Sequence, residues 1–164
     1  WPVVAAATTA AVSQLDTMRT AEGAALFADL QQACVAIGEL VEQIRKRVPE
    51  VVAEHRQRLL DRVAKVLETH QARLDDNDVI REVALIADRS DISEELVRLE
   101  SHIEQFRNLL QDTAPGRSLD FLAQELGREA NTIGSKSVDV AIAHAVVDLK
   151  SQVERIREQA ANIE

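Results

Sequence analysis

Apolar residues along this chain recur at intervals of three and four, the period of an α-helix rather than of a strand. Leu26, Leu30, Ala33, Ile37, Leu40 and Ile44 form one such stripe, leading up to Pro49. Gly23 and Gly38 interrupt it without turn chemistry, which suggests close helix packing there. Pro49 suits the first turn of a next helix, where its missing N–H costs nothing. That helix carries Val52, Leu59, Val63, Val66 and His70, and the cluster Asp75-Asp76-Asn77-Asp78 reads as the turn that follows it. A short helix is expected next, with Ile80, Val83, Ala84 and Ala87 facing inward.

Ser90-Asp91 then opens a new helix, with Glu94 at capping-box spacing from Asp91. Its stripe is Ile92, Leu96, Leu99, Ile103, Phe106 and Leu110. Pro115-Gly116 reads as a turn and Ser118 as an N-cap, followed by Leu119, Leu122, Leu126, Ala130 and Ile133. Gly134 suits the left-handed position after a helix. Ser137 would cap a last helix whose stripe, Ile142, Val146, Leu149, Val153, Ile156, Ala160 and Ile163, alternates steps of four and three in the manner of a coiled-coil seam. At about 40 Å that helix needs another long helix or another subunit to pack on. The pattern predicts an all-α fold of long antiparallel helices with coiled-coil-like seams plus shorter helices. Its expected parts are a long-helix hairpin over residues 1–74 and a C-terminal helical domain over 75–164.

Composition agrees and excludes alternatives. Of 164 residues 46% are hydrophobic, yet only Trp1, Phe27, Phe106 and Phe121 are aromatic and there is no tyrosine. This disfavours a β-sandwich and a stacking platform for single-stranded nucleic acid. No apolar stretch is expected to reach the ~20 residues of a membrane span, so a soluble chain with no membrane partner is the expectation. The one cysteine, Cys34, precludes an internal disulfide and a cysteine-based zinc cluster, points to a reducing cytoplasm, and reads as core. A formal net charge of −9 argues against a broad basic surface for duplex nucleic acid. The chain opens on Trp rather than Met, and a missing natural start is expected.

Two polar clusters lie at helical spacing. Glu95, Arg98 and His102 stack on one side of a helix beside Leu99. Glu125 and Glu129, four apart, have Arg128 between them and Asn131, Thr132, Ser135 and Lys136 close behind. Two carboxylates at i and i+4 can hold a hard divalent cation, with a histidine from a facing helix completing the site. A nearby lysine or arginine could then stabilise a phosphoryl transition state. The hydroxyls, backbone N–H groups and Lys136 of the stretch Asn131–Ser137 would suit phosphate oxygens. The same spacings also serve as solvated ion pairs worth a few tenths of a kcal/mol each. His55, His70 and His144 have no neighbouring carboxylate cluster and read as structural.

At these residues the sequence resembles the YicC/YloC family of bacterial proteins. The resemblance rests on Gly116-Arg117-x-Leu119-Asp120-Phe121-x-x-Gln124-Glu125-x-x-Arg128-Glu129-x-Asn131-Thr132, continuing through Ser135-Lys136-Ser137. It extends to Arg155-Ile156-Arg157-Glu158-Gln159 and Asn162-Ile163-Glu164. Upstream, Asp91-Ile92-x-Glu94-Glu95-Leu96-x-Arg98-Leu99-x-Ser101-His102 and Arg19-x-x-Glu22-Gly23-x-x-Leu26 also resemble the family pattern. Family members have an N-terminal strand-containing region before a helical part, and that region is absent from this sequence.

The resemblance implies a stress-associated cytoplasmic endoribonuclease that depends on a divalent metal, Mn²⁺ or Mg²⁺. It further implies a ring-like homo-oligomer, a hexamer, with RNA as substrate and other ribonucleases as partners. Carried over by motif position, Glu125, Glu129, His102 and Glu95 are the catalytic candidates, and Glu125, Glu129 and His102 the metal ligands. Arg98, Arg117, Arg128, Asn131 and Lys136 would bind RNA. The alternatives are a non-catalytic RNA-binding adaptor or oligomerisation scaffold and a purely structural helical module. The acidic helical part alone is expected to be a poor nuclease. With so few aromatics, any RNA would be held by backbone and shape rather than by base stacking.

Overall fold

The computed structural model describes residues 1–70, 80, 81, 84, 85, 87, 91–111, 116–161 and 163, with backbone alone for 66–70. Four helices are formed among them: α1 (Pro2–His70), α2 (Ser93–Leu109), α3 (Gly116–Lys136) and α4 (Val140–Ala160). The all-α expectation holds. Each helix packs chiefly on two neighbours, α1 on α2 and α4, and α3 on α2 and α4. The result is a four-helix arrangement with one shared core.

That core is the union of the predicted stripes. Leu30, Ala33, Ile37 and Ile44 of α1 are buried together with Leu96, Leu99, Ile103 and Phe106 of α2. Leu119, Leu126 and Ile133 of α3 and Ile142, Leu149 and Ile156 of α4 complete it. Burying a side chain of this size stabilises the fold by about 1.5–3 kcal/mol. Cys34, fully buried as expected, has its thiol pKa raised by desolvation, against the opposing charge and hydrogen bond of Arg107. Ion pairs fasten α1 at three levels: Asp29 to Arg155 of α4, Arg45 to Glu100 of α2 at 2.7 Å, and Arg47 to Asp139 at 2.9 Å.

The largest departure from expectation lies in α1. Pro49 starts no new helix: α1 runs through it for 69 residues, roughly 100 Å at 1.5 Å per residue. The hairpin expected in residues 1–74 is therefore one helix up to His70. Proline removes the amide that would bond to the carbonyl four residues back. Arg47 braces the same stretch with side-chain contacts across the proline, to Glu50 at 2.9 Å and Glu54 at 2.6 Å. Residues 30–44 share their core with α2–α4, so the N-terminal part does not fold on a core of its own there.

Residues 2–25 of α1 are exposed on every side. Thr8, Thr9, Thr17 and Thr20 turn their hydroxyls back to carbonyls four residues earlier. Val12, Leu15 and Met18 remain uncovered. An 18-residue window of α1 is long and apolar enough to cross a membrane by length and composition alone, with mean hydropathy 1.3 and 28% of it buried inside the molecule. This corrects the expectation that no such stretch exists.

Helix ends shift as well. Asp91 accepts from the Ser93 N–H at 2.9 Å, and Glu94 turns to Arg98 rather than closing a capping box. Ser118 lies inside α3, which already begins at Gly116. Gly116 is needed for another reason: a Cβ there would stand 2.5 Å from the Ile163 carbonyl oxygen. Gly134 is a helical residue packed on α4, its missing Cβ 3.1 Å from Val146 Cγ1. Gly23 and Gly38 have open space around them, so close packing does not explain them. Asp139, not Ser137, caps α4, accepting from the Ile142 N–H at 3.0 Å. That helix spans 21 residues, about 32 Å rather than the roughly 40 Å expected. Ile80 and Ala84 are exposed instead of inward-facing. The Asp75–Asp78 turn, Val83, Pro115 and the side chains of Val66 and His70 lie outside the described residues.

Candidate functional site

The α2 stripe that buries Leu96, Leu99 and Ile103 leaves Glu95, Arg98 and His102 along its edge, facing α3. Contacts between the two helices run in opposite directions along them: Arg98 meets Glu129, and Glu95, earlier on α2, meets Lys136, later on α3. The packing is therefore antiparallel, and the same register sets His102 at the level of Glu125.

Two carboxylates are buried in this seam, Glu95 at 3% exposure and Glu129 at 8%. Charges so placed need partners. Arg98 supplies most of them. Its Nε donates to Glu129 Oε1 at 2.7 Å, its Nη2 to Glu95 Oε1 at 3.3 Å and its Nη1 to Glu94 Oε2 at 3.2 Å. Lys136 Nζ donates to Glu95 Oε1 at 3.0 Å and to the Asp91 carbonyl at 2.9 Å. Burial pushes the Glu95 carboxyl towards its neutral form. The Lys136 hydrogen bond, the residue's own N–H, and the charges of Lys136 and Arg98 outweigh it, so its pKa lies below the usual range. Glu95 is thus ionised at neutral pH, an acceptor and not a general acid. Its second oxygen, Oε2, is buried without a hydrogen-bond partner, and so is Nδ1 of half-buried His102.

Of the residues singled out from sequence, Glu95, Arg98, Glu129 and Lys136 form one network. Arg98 and Lys136 are both engaged by carboxylates in it. Glu125, half-buried, pairs with Arg128 three residues on. Among the described residues no three His, Cys, Asp or Glu side chains come together as a metal-holding group. The expected trio Glu125, Glu129 and His102 is therefore not assembled within one chain. Arg117 is exposed at the start of α3, remote in register from the buried pair.

Arg128 and Asn131 belong to a different face. With Gln124 they line a groove between α3 and α4 of about 490 Å³, opposite Lys150, Glu154 and Arg157. Of the α4 residues of this groove, Arg157 was noted only as part of the family-like C-terminal stretch, and Lys150 and Glu154 were not picked out from sequence. Their only signal is the seven-residue spacing of Lys150 and Arg157, two helical turns on one face.

Residues 44–164 match the sequence model of the family described as "Endoribonuclease YicC-like, C-terminal". Over 165 aligned residues the chain is 42% identical to a Clostridioides difficile protein named "Probable endoribonuclease YicC", covering 100% of this chain and 56% of that protein. It is 40% identical over 148 residues to a Haemophilus influenzae protein of the same name, covering 90% of this chain and 50% of the relative. The chain thus spans about half the length of the curated relatives it matches.

Proposed function

This chain belongs to the YicC-like endoribonuclease family, matching its C-terminal helical part, and on that premise we propose that it cleaves RNA phosphodiester bonds, with the α2/α3 seam as the reactive face. The observation that carries this reading is the pair of buried carboxylates, Glu95 and Glu129, on facing helices and bridged by one guanidinium. Here Glu95 Oε2 and His102 Nδ1 are left with hydrogen-bonding capacity unused.

Each residue has a role in this proposal. Ionised Glu95 accepts a proton or a cation at Oε2. His102 passes a proton through Nδ1 to or from the reacting oxygens. Arg98 and Lys136, already held against the carboxylates, offset the negative charge that gathers as the phosphorus becomes five-coordinate. Glu125 lies one turn from Glu129 and extends the acidic edge.

Glu95 and Glu129 carry the carboxylate oxygens that Mg²⁺ and Mn²⁺ favour, but Arg98 and Lys136 already occupy Oε1 of the pair, so a cation would have to compete with them. Glu95 and Glu129 would hold it, displacing part of the Arg98 contact. Such an ion supplies Lewis acidity and a more acidic bound water. The exposed stretch of α1 with Val12, Leu15 and Met18 uncovered supports a homo-oligomer, for which a hexameric ring is proposed. The cytoplasm is the proposed compartment.

A second reading, a non-catalytic RNA adaptor that assists other ribonucleases, is favoured by one observation: Arg98 and Lys136 already neutralise the carboxylates a metal would need. Incubating the purified protein, as its cell makes it, with labelled RNA and Mn²⁺ or Mg²⁺, with and without EDTA, separates the two. The endoribonuclease reading expects EDTA-sensitive internal cuts, lost in Glu95→Gln/Glu129→Gln and reduced in Glu125→Gln, with assembly intact by light scattering. Binding without cleavage in the unaltered protein would establish the adaptor instead.

A further inference from the structure

We propose that the groove between α3 and α4 is a binding site for the phosphate backbone of single-stranded RNA, separate from the carboxylate seam. This rests on the RNA-directed reading above and adds to it where the strand is held.

The groove has the charge for that ligand in a chain that otherwise repels it. Arg128, Lys150 and Arg157 line it against a single lining carboxylate, Glu154, while the chain as a whole carries −9. Lys150 is its most available cation. Among the described residues it makes no ion pair or hydrogen bond, and its Nζ lies over Gly134, 3.9 Å from where a Cβ would stand. Arg157 is tied only loosely to Glu154, at 3.8 Å with both side chains exposed. Arg128 pairs with Glu125 but is itself largely exposed. An ion pair exposed on both sides, as Arg157–Glu154 is, contributes little, so phosphate oxygens can compete for the Arg157 guanidinium. Asn131 and Gln124 add neutral amide donors.

The shape fits as well. Gly127 lines the groove with no side chain, leaving it open between the two rows of cations. No aromatic residue lines it, so the site reads phosphates and not base faces. That excludes the stacking mode of single-strand recognition and leaves an electrostatic one.

Position links the groove to the seam. Arg128 and Glu129 are consecutive residues of α3, one directed to the α4 side and the other to α2. A helix is about 10–12 Å across with its side chains, a width that a few nucleotides span. A strand gripped by Lys150 and Arg157 would cross α3 and bring a neighbouring phosphate to the carboxylates.

The test uses the protein as its cell makes it and a fluorescein-labelled single-stranded RNA, with affinity followed by anisotropy over a range of salt concentrations. Lys150→Gln/Arg157→Gln is expected to bind roughly tenfold more weakly and to lower the slope of log affinity against log salt by about 1.4, two phosphates' worth for a single strand. Lys150→Arg/Arg157→Lys restores binding, and Glu154→Gln, which frees Arg157, tightens it. All three surface variants keep the melting temperature, so a folding defect is separable. Unchanged affinity and slope in the double glutamine variant would overturn the groove while RNA binding by the parent protein leaves the nuclease reading standing. A parent protein that neither binds nor cuts RNA overturns both. A Glu95→Gln/Glu129→Gln protein that binds normally but does not cut is the result expected if groove and seam divide the work.

Discussion

Arg98 of α2 and Glu129 of α3 meet through a 2.7 Å hydrogen bond from Nε to Oε1, and that one contact aligns two helices and neutralises a buried carboxylate. The Glu129 partnership is also the main reason the Arg98 guanidinium holds its proton more strongly than usual. Removing the cation while leaving the buried anions is the unfavourable arrangement. Arg98→Ala should therefore lower the melting temperature, and Arg98→Lys should lower it less, because a point charge can still reach Glu95 or Glu129 but loses the fork geometry. Thermal unfolding followed by circular dichroism measures both; an unchanged Arg98→Ala midpoint would show that the network does not hold the seam.

Acid should weaken the fold in a defined window. Asp139 is held below its usual pKa by the Arg47 hydrogen bond, against burial, with the Ile142 N–H assisting; Ser93 lowers Asp91, and Glu95 is lowered on balance. Groups with depressed folded-state pKa values contribute stability above the unfolded values, near 4. They lose it as pH falls through the folded values. The melting temperature is expected to be level from about pH 7 to 5 and to drop below about pH 4. A fold that gains stability on acidification through that range would contradict these assignments.

Asp139 joins two functions, capping α4 and anchoring Arg47 of α1. Asp139→Ala should cost about 0.5–2 kcal/mol from the lost cap. Asp139→Asn keeps a competent cap and loses only the charge pairing, so it should fall between the parent and the alanine variant in urea titrations.

The helical glycines divide by what surrounds them. Gly38 has nothing within 4 Å of its missing Cβ and Gly127 only an ordinary contact to Val153, so alanine at either should stabilise by about 0.5–1 kcal/mol. Gly116 faces the Ile163 carbonyl, and Gly116→Ala should destabilise by about 1–3 kcal/mol as backbone is pushed aside. Denaturant midpoints read both signs; a stabilising Gly116→Ala would mean that the C-terminal residues do not dock there.

A core truncation calibrates the scale. Leu99 is fully buried at the centre of the bundle, and Leu99→Ala should cost about 2–5 kcal/mol in the same titrations.

The three-and-four recurrence of Leu30, Ile37, Ile44, Leu99, Phe106, Leu126, Leu149 and Ile156 determined the all-α class and nearly the whole core, because helical periodicity is a local property. The same spacing put Glu95, Arg98 and His102 on one edge before any partner was known. Helix limits were less legible. Pro49 has the local preference of a helix start, yet the buried residues on its N-terminal side and the Arg47 contacts across it keep α1 continuous. Gly134 and Ser118 likewise suit helix ends that packing against α4, and the earlier start of α3 at Gly116, override. Which side chains meet was decided by the tertiary structure alone. Glu129 was matched in sequence with Glu125, four residues away, but the antiparallel register of α2 and α3 gives it Arg98. Lys150 lay unremarked on the last helix, and Arg157 carried no assigned role, until α4 packed beside α3 and set them facing Arg128. Spacing along one helix specifies a face, and only the packing of a second helix specifies what that face confronts.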